Sequence, residues 1–266
     1  MTELLRIATF LAPNMLPVYA FIAGYLGRYV GYRTELVVGT RFDQFAAGEI
    51  EVGFICGLPY VQLMRLTPSP VALLAAPVLT PERYGDRPVY FSDVIVRRGS
   101  EARAFADLRG RSWAYNDPDS HLGSNLTRFL LARMGETRGF FRNVIEAGFH
   151  QQSIQMEAAG EVDAAAIDSH VLAIELSDHP TLSESITVID TFGPSTIQPV
   201  VAANHLPDEV KGRLRAALYA IGNDPAARAD LTRGFVDRIV PVADVDYDDI
   251  RRMLVAAEEA NVLRLH

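Results

Sequence analysis

Short apolar runs alternate along this chain with longer amphipathic stretches, a pattern that predicts strands alternating with helices. In the first third, the predicted elements are strand 4–10, a helix ending near 29, strand 34–39, helix 42–47, strand 52–56, helix 58–66 and a β-rich run at 70–78. Strands that alternate with helices favour a parallel sheet. The first third therefore predicts an α/β unit.

The same alternation begins again at Ser112, after a strand at 90–97 that alternates less cleanly. The second series is strand 112–115, helix 121–134, strand 143–147, helix 151–159, strand 164–167, helix 170–176 and strand 185–190. Helices 207–221, 225–234 and 246–260 follow and are expected to cover the first unit. The restart indicates a second α/β unit.

Residues 46–56 reappear in altered form as residues 158–168. Each copy begins Ala-Ala-Gly-Glu, which is typical of a helix end, and continues into an apolar run typical of a buried strand. Two widely separated copies indicate two similar lobes rather than a solenoid. Ligands of open α/β sheets bind beyond the carboxyl ends of the strands, here near residues 56–60 and 168–170.

Composition narrows the function classes. The net charge of −8 argues against binding to nucleic acid or to an anionic membrane, although local donors still suit a small anion. Cys56 is the only cysteine, which excludes an internal disulfide and a cysteine metal cluster. Nucleophile elbows, P-loops, dinucleotide fingerprints and zinc motifs are absent, so neither a cofactor nor a metal is expected.

The start of the chain lacks the basic, apolar and cleavage regions of a secretory signal. We therefore expect a cytoplasmic protein as the sequence is written, and a periplasmic one if a leader has been removed. No apolar run is long enough to cross a bilayer, so direct membrane insertion is not expected.

The stretch from Asp119 to Asn125 opens a predicted helix with hydroxyl and glycine residues. The N-terminus of a helix offers unpaired N–H groups and a partial positive charge, which suit phosphate, phosphonate or carboxylate. Ser120 and Ser124 add hydroxyl donors. The alternative is ordinary N-capping by Asp119 or Ser120.

The chain resembles the phosphonate and phosphite solute-binding proteins of ABC uptake systems, from about residue 5 to residue 231. The resemblance is most specific at Asn116-Asp117-Pro118-Asp119-Ser120 with Gly123, and at His150 with the stretch 160–165. Other matching stretches are 42–45 through 57–60, 90–96 and 105–114.

The resemblance implies a two-lobed type II periplasmic-binding-protein fold with two crossing strands, near residues 89–93 and 190–199. Lobe 1 would contain residues 1–88 and 193–266, lobe 2 residues 89–192, and the ligand would lie in the cleft between them.

The resemblance also implies an anion site at Ser120 and Gly123. The chain departs from the family at His121 and Leu122, where further hydroxyl residues are usual. His121 remains a candidate ligand residue because it lies in the same turn.

The remaining candidates come from both lobes. The resemblance implies that His150 reaches the bound anion and that Tyr90 and Tyr60 line the site; the alternatives are a surface or capping histidine and half-buried core tyrosines. Asp168 would face the cationic end of an aminophosphonate, or else cap the helix that follows. Asn14, in the corresponding loop of the first lobe, would donate to the ligand or simply connect strand and helix.

We therefore expect a monomeric solute-binding protein that closes on a small, phosphonate-like or phosphate-ester-like anion and acts with an ABC permease. Two alternatives remain open at this point. One is a cytoplasmic enzyme on the same fold, of the menaquinone-pathway or pyrimidine-forming type, because fold alone does not decide function. The other is a ligand-sensing module.

Overall fold

The structure is a computed structural model that describes residues 4–266. It contains two compact units. Unit 1 consists of the chain up to Val89 together with Thr196–Asp248, and unit 2 consists of Tyr90–Ser195 together with Asp249–His266.

Within residues 4–266 the chain forms eleven β-strands and nine α-helices. Strands β1 to β11 are Leu4–Thr9, Arg33–Val38, Val52–Phe54, Val71–Leu79, Val89–Arg97, Ser112–Tyr115, Asn143–Glu146, Ala164–Asp168, Ile186–Thr196, Val200–Ala203 and Val236–Val240. Helices α1 to α9 are Leu16–Val30, Gly57–Leu63, Leu126–Arg133, His150–Ala159, Ser169–Asp178, Leu182–Ser185, Asp208–Ala220, Arg228–Arg233 and Asp248–Glu259.

Unit 1 contains a six-stranded sheet in the order β11-β4-β10-β3-β1-β2. β1 pairs in parallel with β2 and β3, and β10 runs antiparallel to β3. Ile7 and Ala8 of β1 are buried, as expected for a central strand whose two faces are covered. The regular alternation of the first third therefore produces the predicted parallel core, to which later strands add antiparallel pairs.

Unit 2 contains a five-stranded sheet in the order β7-β6-β8-β5-β9. β6 pairs in parallel with both β7 and β8, so all three strands have their carboxyl ends at one edge of the sheet. β5 runs antiparallel to β8 with Ser92 opposite Asp168, which brings the start of β5 to the same edge. This edge, called the carboxyl edge below, carries the second-unit candidate residues.

An aromatic cluster forms much of the core of unit 2. Trp113 of β6 stacks on Phe141, with ring centroids 4.7 Å apart, and Phe105 stacks on Phe140 at 5.4 Å. All four rings are buried. This packing fixes β6, and therefore the loop that follows it at the carboxyl edge.

The C-terminal helix departs from the expected lobe boundaries. Residues 193–266 were expected in the first lobe, but Asp249–His266 belong to unit 2. Val262 and Leu265 join the buried cluster around Trp113. The apolar face of α9 predicts a packed helix, but an amphipathic pattern does not specify which core the helix covers.

Local structure also differs from the expectations at four elements. The expected helix 42–47 is a 3-10 turn, Phe42–Gln44, followed by an irregular turn. The expected helix 225–234 is shortened to α8, and β10 and β11 were not expected. β10 is short and wholly buried, and β11 buries only Val236 and Ile239, so neither has a clear alternating pattern.

Candidate functional site

The turn after β6 ends at a helix N-terminus in unit 2. Ser120 caps a π-helical turn, His121–Asn125, that continues directly into α3. Its Oγ accepts a hydrogen bond from the Gly123 N–H at 3.1 Å, and its carbonyl oxygen accepts from Asn125 N at 3.0 Å. Ser120, Ser124 and His121 are all buried. The structure therefore forms the predicted helix N-terminus, with Ser120 in the capping position.

Gly123 allows a close approach by Asn116, which the sequence analysis placed in the stretch resembling the family but not among the candidate site residues. A Cβ atom at Gly123 would overlap Asn116 Oδ1 and would lie 3.2 Å from Ser120 Oγ. Asn116 directly follows β6, so its side-chain oxygen lies against the start of the helix. Two sequence signals point to Asn116: it belongs to the stretch 116–120 that resembles the family, and it follows a strand that runs parallel to its neighbours, where polar residues reach the carboxyl edge.

His150 begins α4 at the same edge and is 7% exposed. Burial lowers its pKa to about 4, although a hydrogen bond to the Ala166 backbone opposes this change. The imidazole is therefore neutral at neutral pH. Its Nδ1 atom is buried and has no hydrogen-bond partner within the part of the chain that the structure describes.

The ring of His121 is held by neighbours within unit 2. Its Nε2 lies 2.9 Å from Ser195 Oγ, and its Nδ1 lies 3.2 Å from Asn125 Nδ2. An amide NH2 only donates, so Nδ1 accepts and Nε2 carries the proton. Burial, together with the positive charge of Arg128, lowers the His121 pKa to about 3. In this arrangement both ring nitrogens support the turn.

Asp168 and Tyr90 also lie at the carboxyl edge. Asp168 caps α5, because its Oδ1 accepts hydrogen bonds from His170 N at 2.8 Å and Val171 N at 3.4 Å. Tyr90 is buried, and its ring centroid is 6.3 Å from that of His121. The capping alternative for Asp168 thus describes its backbone contacts; a ligand contact by either residue stays a prediction.

The first-unit candidates have structural roles of their own. Asn14 lies in the 3-10 turn Pro13–Met15 that leads into α1. The Tyr60 hydroxyl donates to Asp244 Oδ1 at 2.7 Å, and its ring centroid lies 4.7 Å from that of Tyr247. Tyr60 is fully buried in unit 1. Ligand contacts by Asn14 and Tyr60 stay predictions.

The described residues show neither a metal cluster nor a membrane span. No group of three or more His, Cys, Asp or Glu side chains in residues 4–266 could hold a metal ion. Over the same residues, no helix has the length and apolar character needed to cross a bilayer.

Comparison with solved structures identifies the fold. A binding protein component of an ABC phosphonate transporter from Pseudomonas aeruginosa is 14% identical, with 98% of this chain and 88% of that chain covered and a TM-score of 0.85. PhnD1 from Prochlorococcus marinus, in complex with methylphosphonate, is 14% identical, with 98% and 99% covered and a TM-score of 0.83. The aliphatic sulphonate binding protein SsuA from Escherichia coli is 15% identical, with 100% and 92% covered and a TM-score of 0.66. The expected type II periplasmic-binding-protein fold is confirmed.

The sequence itself matches a family model described as "ABC transporter, phosphonate, periplasmic substrate-binding protein" over residues 7–247. That match covers most of the chain and confirms the resemblance carried by the Asn116–Ser120 stretch and His150. The family consists of transport components rather than enzymes, so the alternative of an enzyme on the same fold is set aside. This chain belongs to the family of periplasmic substrate-binding proteins of phosphonate ABC transporters.

Proposed function

We propose that unit 2 binds the head group of a small phosphonate-class oxyanion at the turn His121–Asn125. One observation carries the proposal: the Ser120-capped helix N-terminus and the buried His150 lie at the same carboxyl edge of one sheet. Helix N–H groups and hydroxyls stabilise an oxyanion through hydrogen bonds and the partial positive charge of the helix.

The proposal assigns different roles to the candidates. Ser120, Gly123 and Ser124 would hold the oxygens of the head group, since they lie at the N-terminus of the helix. His150 would contact the head group from the start of α4. Tyr90 and Asp168 would contact the rest of the ligand, as a carboxylate close to the anion would repel it.

A substitution that keeps the cap but changes the charge tests this proposal. Aspartate is a good N-cap residue, so Ser120→Asp should still accept the Gly123 N–H while adding a negative charge at the site. Calorimetric titration with methylphosphonate should show binding by the wild type and a loss of at least about tenfold in affinity for Ser120→Asp. Ligand at about 100 times its Kd should also stabilise the wild type by about 2.7 kcal/mol.

Ser183→Asp is the matched control, because it adds the same charge in unit 2 at an exposed serine near the opposite edge of the sheet. There the backbone of Ser185 accepts from Arg98 N at the end of β5. Ser183→Asp should bind methylphosphonate like the wild type. Equal binding by all three proteins would place the anion elsewhere and contradict the proposal.

We further propose that the loaded protein delivers its ligand to an ABC permease, as the family match supports. Uptake of labelled methylphosphonate by cells that express this protein together with the permease and ATPase of a phosphonate ABC transporter tests the partner. Uptake that is independent of this protein would contradict it.

A further inference from the structure

Three buried side-chain atoms at the carboxyl edge of unit 2 have no hydrogen-bond partner among the residues that the structure describes. They are Asn116 Oδ1, His150 Nδ1 and Gln151 Oε1. Gly148 N donates to the Asn116 carbonyl at 2.7 Å, which connects the end of β6 to the loop before α4. His150 and Gln151 open that helix. The three atoms therefore belong to neighbouring segments of one edge.

His150 is uncharged at neutral pH, because burial lowers its pKa to about 4. Its Nδ1 atom is buried and has no hydrogen-bond partner among residues 4–266. A neutral imidazole has one acceptor nitrogen, and in the proposed site this would be Nδ1, with the proton on Nε2. A neutral His150 is an acceptor rather than a cation at this site.

Asn116 places an acceptor at the anion turn itself. Its Oδ1 lies so close to Gly123 that no Cβ fits between them, and Gly123 N is the group that Ser120 caps. A ligand held at this turn would therefore meet Oδ1 at its head group and not at its distal end. A fully deprotonated head group has only lone pairs to offer, and a buried acceptor that faces another acceptor is unfavourable.

We propose that this site selects the singly protonated form of a tetrahedral phosphorus oxyanion, whose P–OH donates to these acceptors, over oxyanions that lack a hydroxyl, such as sulfonates. The inference rests on the proposed function and specifies which ionic form is bound. It gives the buried acceptors a donor, and a site built to hydrogen-bond a hydroxyl rejects analogues that lack one.

The charged groups around the site favour the same form. Burial raises the pKa of Asp117; hydrogen bonds from the backbone N–H groups of Asp119 and Ser120 oppose this change, and the carboxylates of Asp119 and Glu146 add to it. These acidic groups repel a dianion more strongly than a monoanion. The same elements carry other titratable or charged groups, among them Asp93, Arg97, His121, Arg128, Arg133, Glu157, Asp168, His170, Glu175 and Asp178.

Methylphosphonate and methanesulfonate form the matched ligand pair. Hydrogen methylphosphonate and methanesulfonate have the same methyl group, tetrahedral shape and single negative charge, and differ in the P–OH. Calorimetry at about pH 6 should show methylphosphonate binding at least about tenfold tighter than methanesulfonate. Affinities within about threefold of each other would overturn the inference while leaving oxyanion binding intact. Binding of neither ligand would overturn the proposed function as well.

A ligand series separates ionisation of the ligand from ionisation of the protein. Above the second pKa of the ligand, affinity should fall about tenfold per pH unit, because the bound form becomes rarer. Fluorinated methylphosphonates ionise at lower pH, so their decline should begin correspondingly earlier. A decline at one fixed pH for every ligand would identify a protein group, with Glu157 the first candidate, and would overturn the inference.

Substitutions test which residues produce the preference for methylphosphonate over methanesulfonate. Asn116→Leu removes an acceptor and should lower the ratio of methylphosphonate to methanesulfonate affinity by about tenfold. Gln151→Leu should lower the same ratio. Gln155→Leu changes an exposed residue of α4 in the same way and should leave the ratio unchanged. The ratio is measured within each folded variant, so a loss of stability does not imitate the effect; an unchanged ratio in both test variants would contradict the inference.

Discussion

The two units place the same strand arrangement beside very different buried polar groups. In unit 1 the order β2-β1-β3 is followed by the antiparallel β10, and in unit 2 the order β7-β6-β8 is followed by the antiparallel β5. The repeated Ala-Ala-Gly-Glu segment precedes β3 in one unit and β8 in the other. The shared arrangement shows which differences come from side chains rather than from topology.

Unit 1 pairs the buried charge beside this segment. Glu51 receives hydrogen bonds from Arg6 Nε at 3.1 Å, Arg6 Nη2 at 2.5 Å and Arg6 N at 2.7 Å. Unit 2 instead leaves buried atoms of α4 without partners in the described chain, namely His150 Nδ1, Gln151 Oε1 and both carboxyl oxygens of Glu157. Unpaired buried polar groups cost stability, so proteins retain them mainly where function requires them.

We therefore expect the ligand chemistry to lie in unit 2. The unpaired groups there are of two kinds. His150 lies at the carboxyl edge with the anion turn, whereas Glu157 lies toward the far end of α4, where the positive charge of Arg97 acts on it. Only the first has a place in the proposed site. The predictions below test this contrast, beginning with the largest effect.

Glu157→Gln should change the pH dependence of stability most. Burial raises the Glu157 pKa from 4.5 to about 8, against a smaller lowering by Arg97. The folded protein therefore keeps a proton that the unfolded chain releases, so the free energy of unfolding falls as pH rises through that window. The wild type should lose on the order of 3 to 5 kcal/mol from this group between about pH 5 and about pH 8, and the variant should not.

Urea unfolding at both pH values measures this difference. Glu161→Gln, at an exposed position two residues past α4, is the control and should keep the wild-type slope. Parallel stability curves for the wild type and Glu157→Gln would show that Glu157 is ionised in the folded protein.

His150→Gln should change stability at the acidic end. Burial lowers the His150 pKa from 6.5 to about 4. Between these two pH values the unfolded chain therefore binds a proton that the folded protein does not bind. The free energy of unfolding should therefore fall as pH drops through this window, by up to about 3 kcal/mol from this residue. His150→Gln should lack that component, whereas His205→Gln, at an exposed position in unit 1, should retain it.

Urea unfolding at about pH 7 and about pH 4.5 measures how much free energy of unfolding the wild type and each variant lose in acid. His121, whose pKa burial also lowers, contributes in the same direction and remains in both variants. An acid-induced loss in His150→Gln as large as in the wild type would mean that His150 is protonated in the folded state.

Breaking the pair in unit 1 should have a smaller effect. The side chain of Glu51 is 9% exposed, but that of Arg6 is 37% exposed, so water screens one partner. Glu51→Gln should therefore lower the free energy of unfolding by about 1–2 kcal/mol, less than for a fully buried pair. Asp43→Asn breaks the exposed Arg41–Asp43 pair and should have no measurable effect. Equal losses in the two variants would contradict the distinction between them.

The parts of the fold that follow from local signals were predictable. Apolar runs located β1, β6 and β8, and the repeated segment located the two glycine turns, since Gly48 and Gly160 both have positive φ. The packing of α9 in unit 2 was not predictable, because it depends on which apolar core is open to the helix. β11 was not predicted for a similar reason, because its pairing with β4 joins residues that are far apart in sequence.

The candidate site, like the fold, could be predicted from the sequence only where the signal is local. The hydroxyls of Ser120 and Ser124 and the glycine between them form a local pattern that indicates a helix N-terminus. Asn116 gains its position only through the fold, because its side chain meets Gly123 across a turn. The burial of Glu157 is likewise a tertiary property, since α4 has no clear apolar face in its sequence.

The smallest effect on stability is expected at the glycines of the repeated segment. It tests whether both copies need a glycine for the same left-handed backbone turn. Gly48 has φ +69° and Gly160 has φ +78°, so alanine at either position must adopt the left-handed conformation. Each substitution should cost about 1 kcal/mol. A Cβ at Gly160 would also lie 2.6 Å from Arg97 Nη1, but that guanidinium ends a flexible, exposed side chain and moves aside easily, whereas nothing lies closer than 3.9 Å at Gly48. Gly48→Ala and Gly160→Ala should therefore differ by less than about 0.5 kcal/mol in urea unfolding. A much larger loss at Gly160 would mean that Arg97 is held in place, and that the second copy has acquired a side-chain role which the first copy lacks.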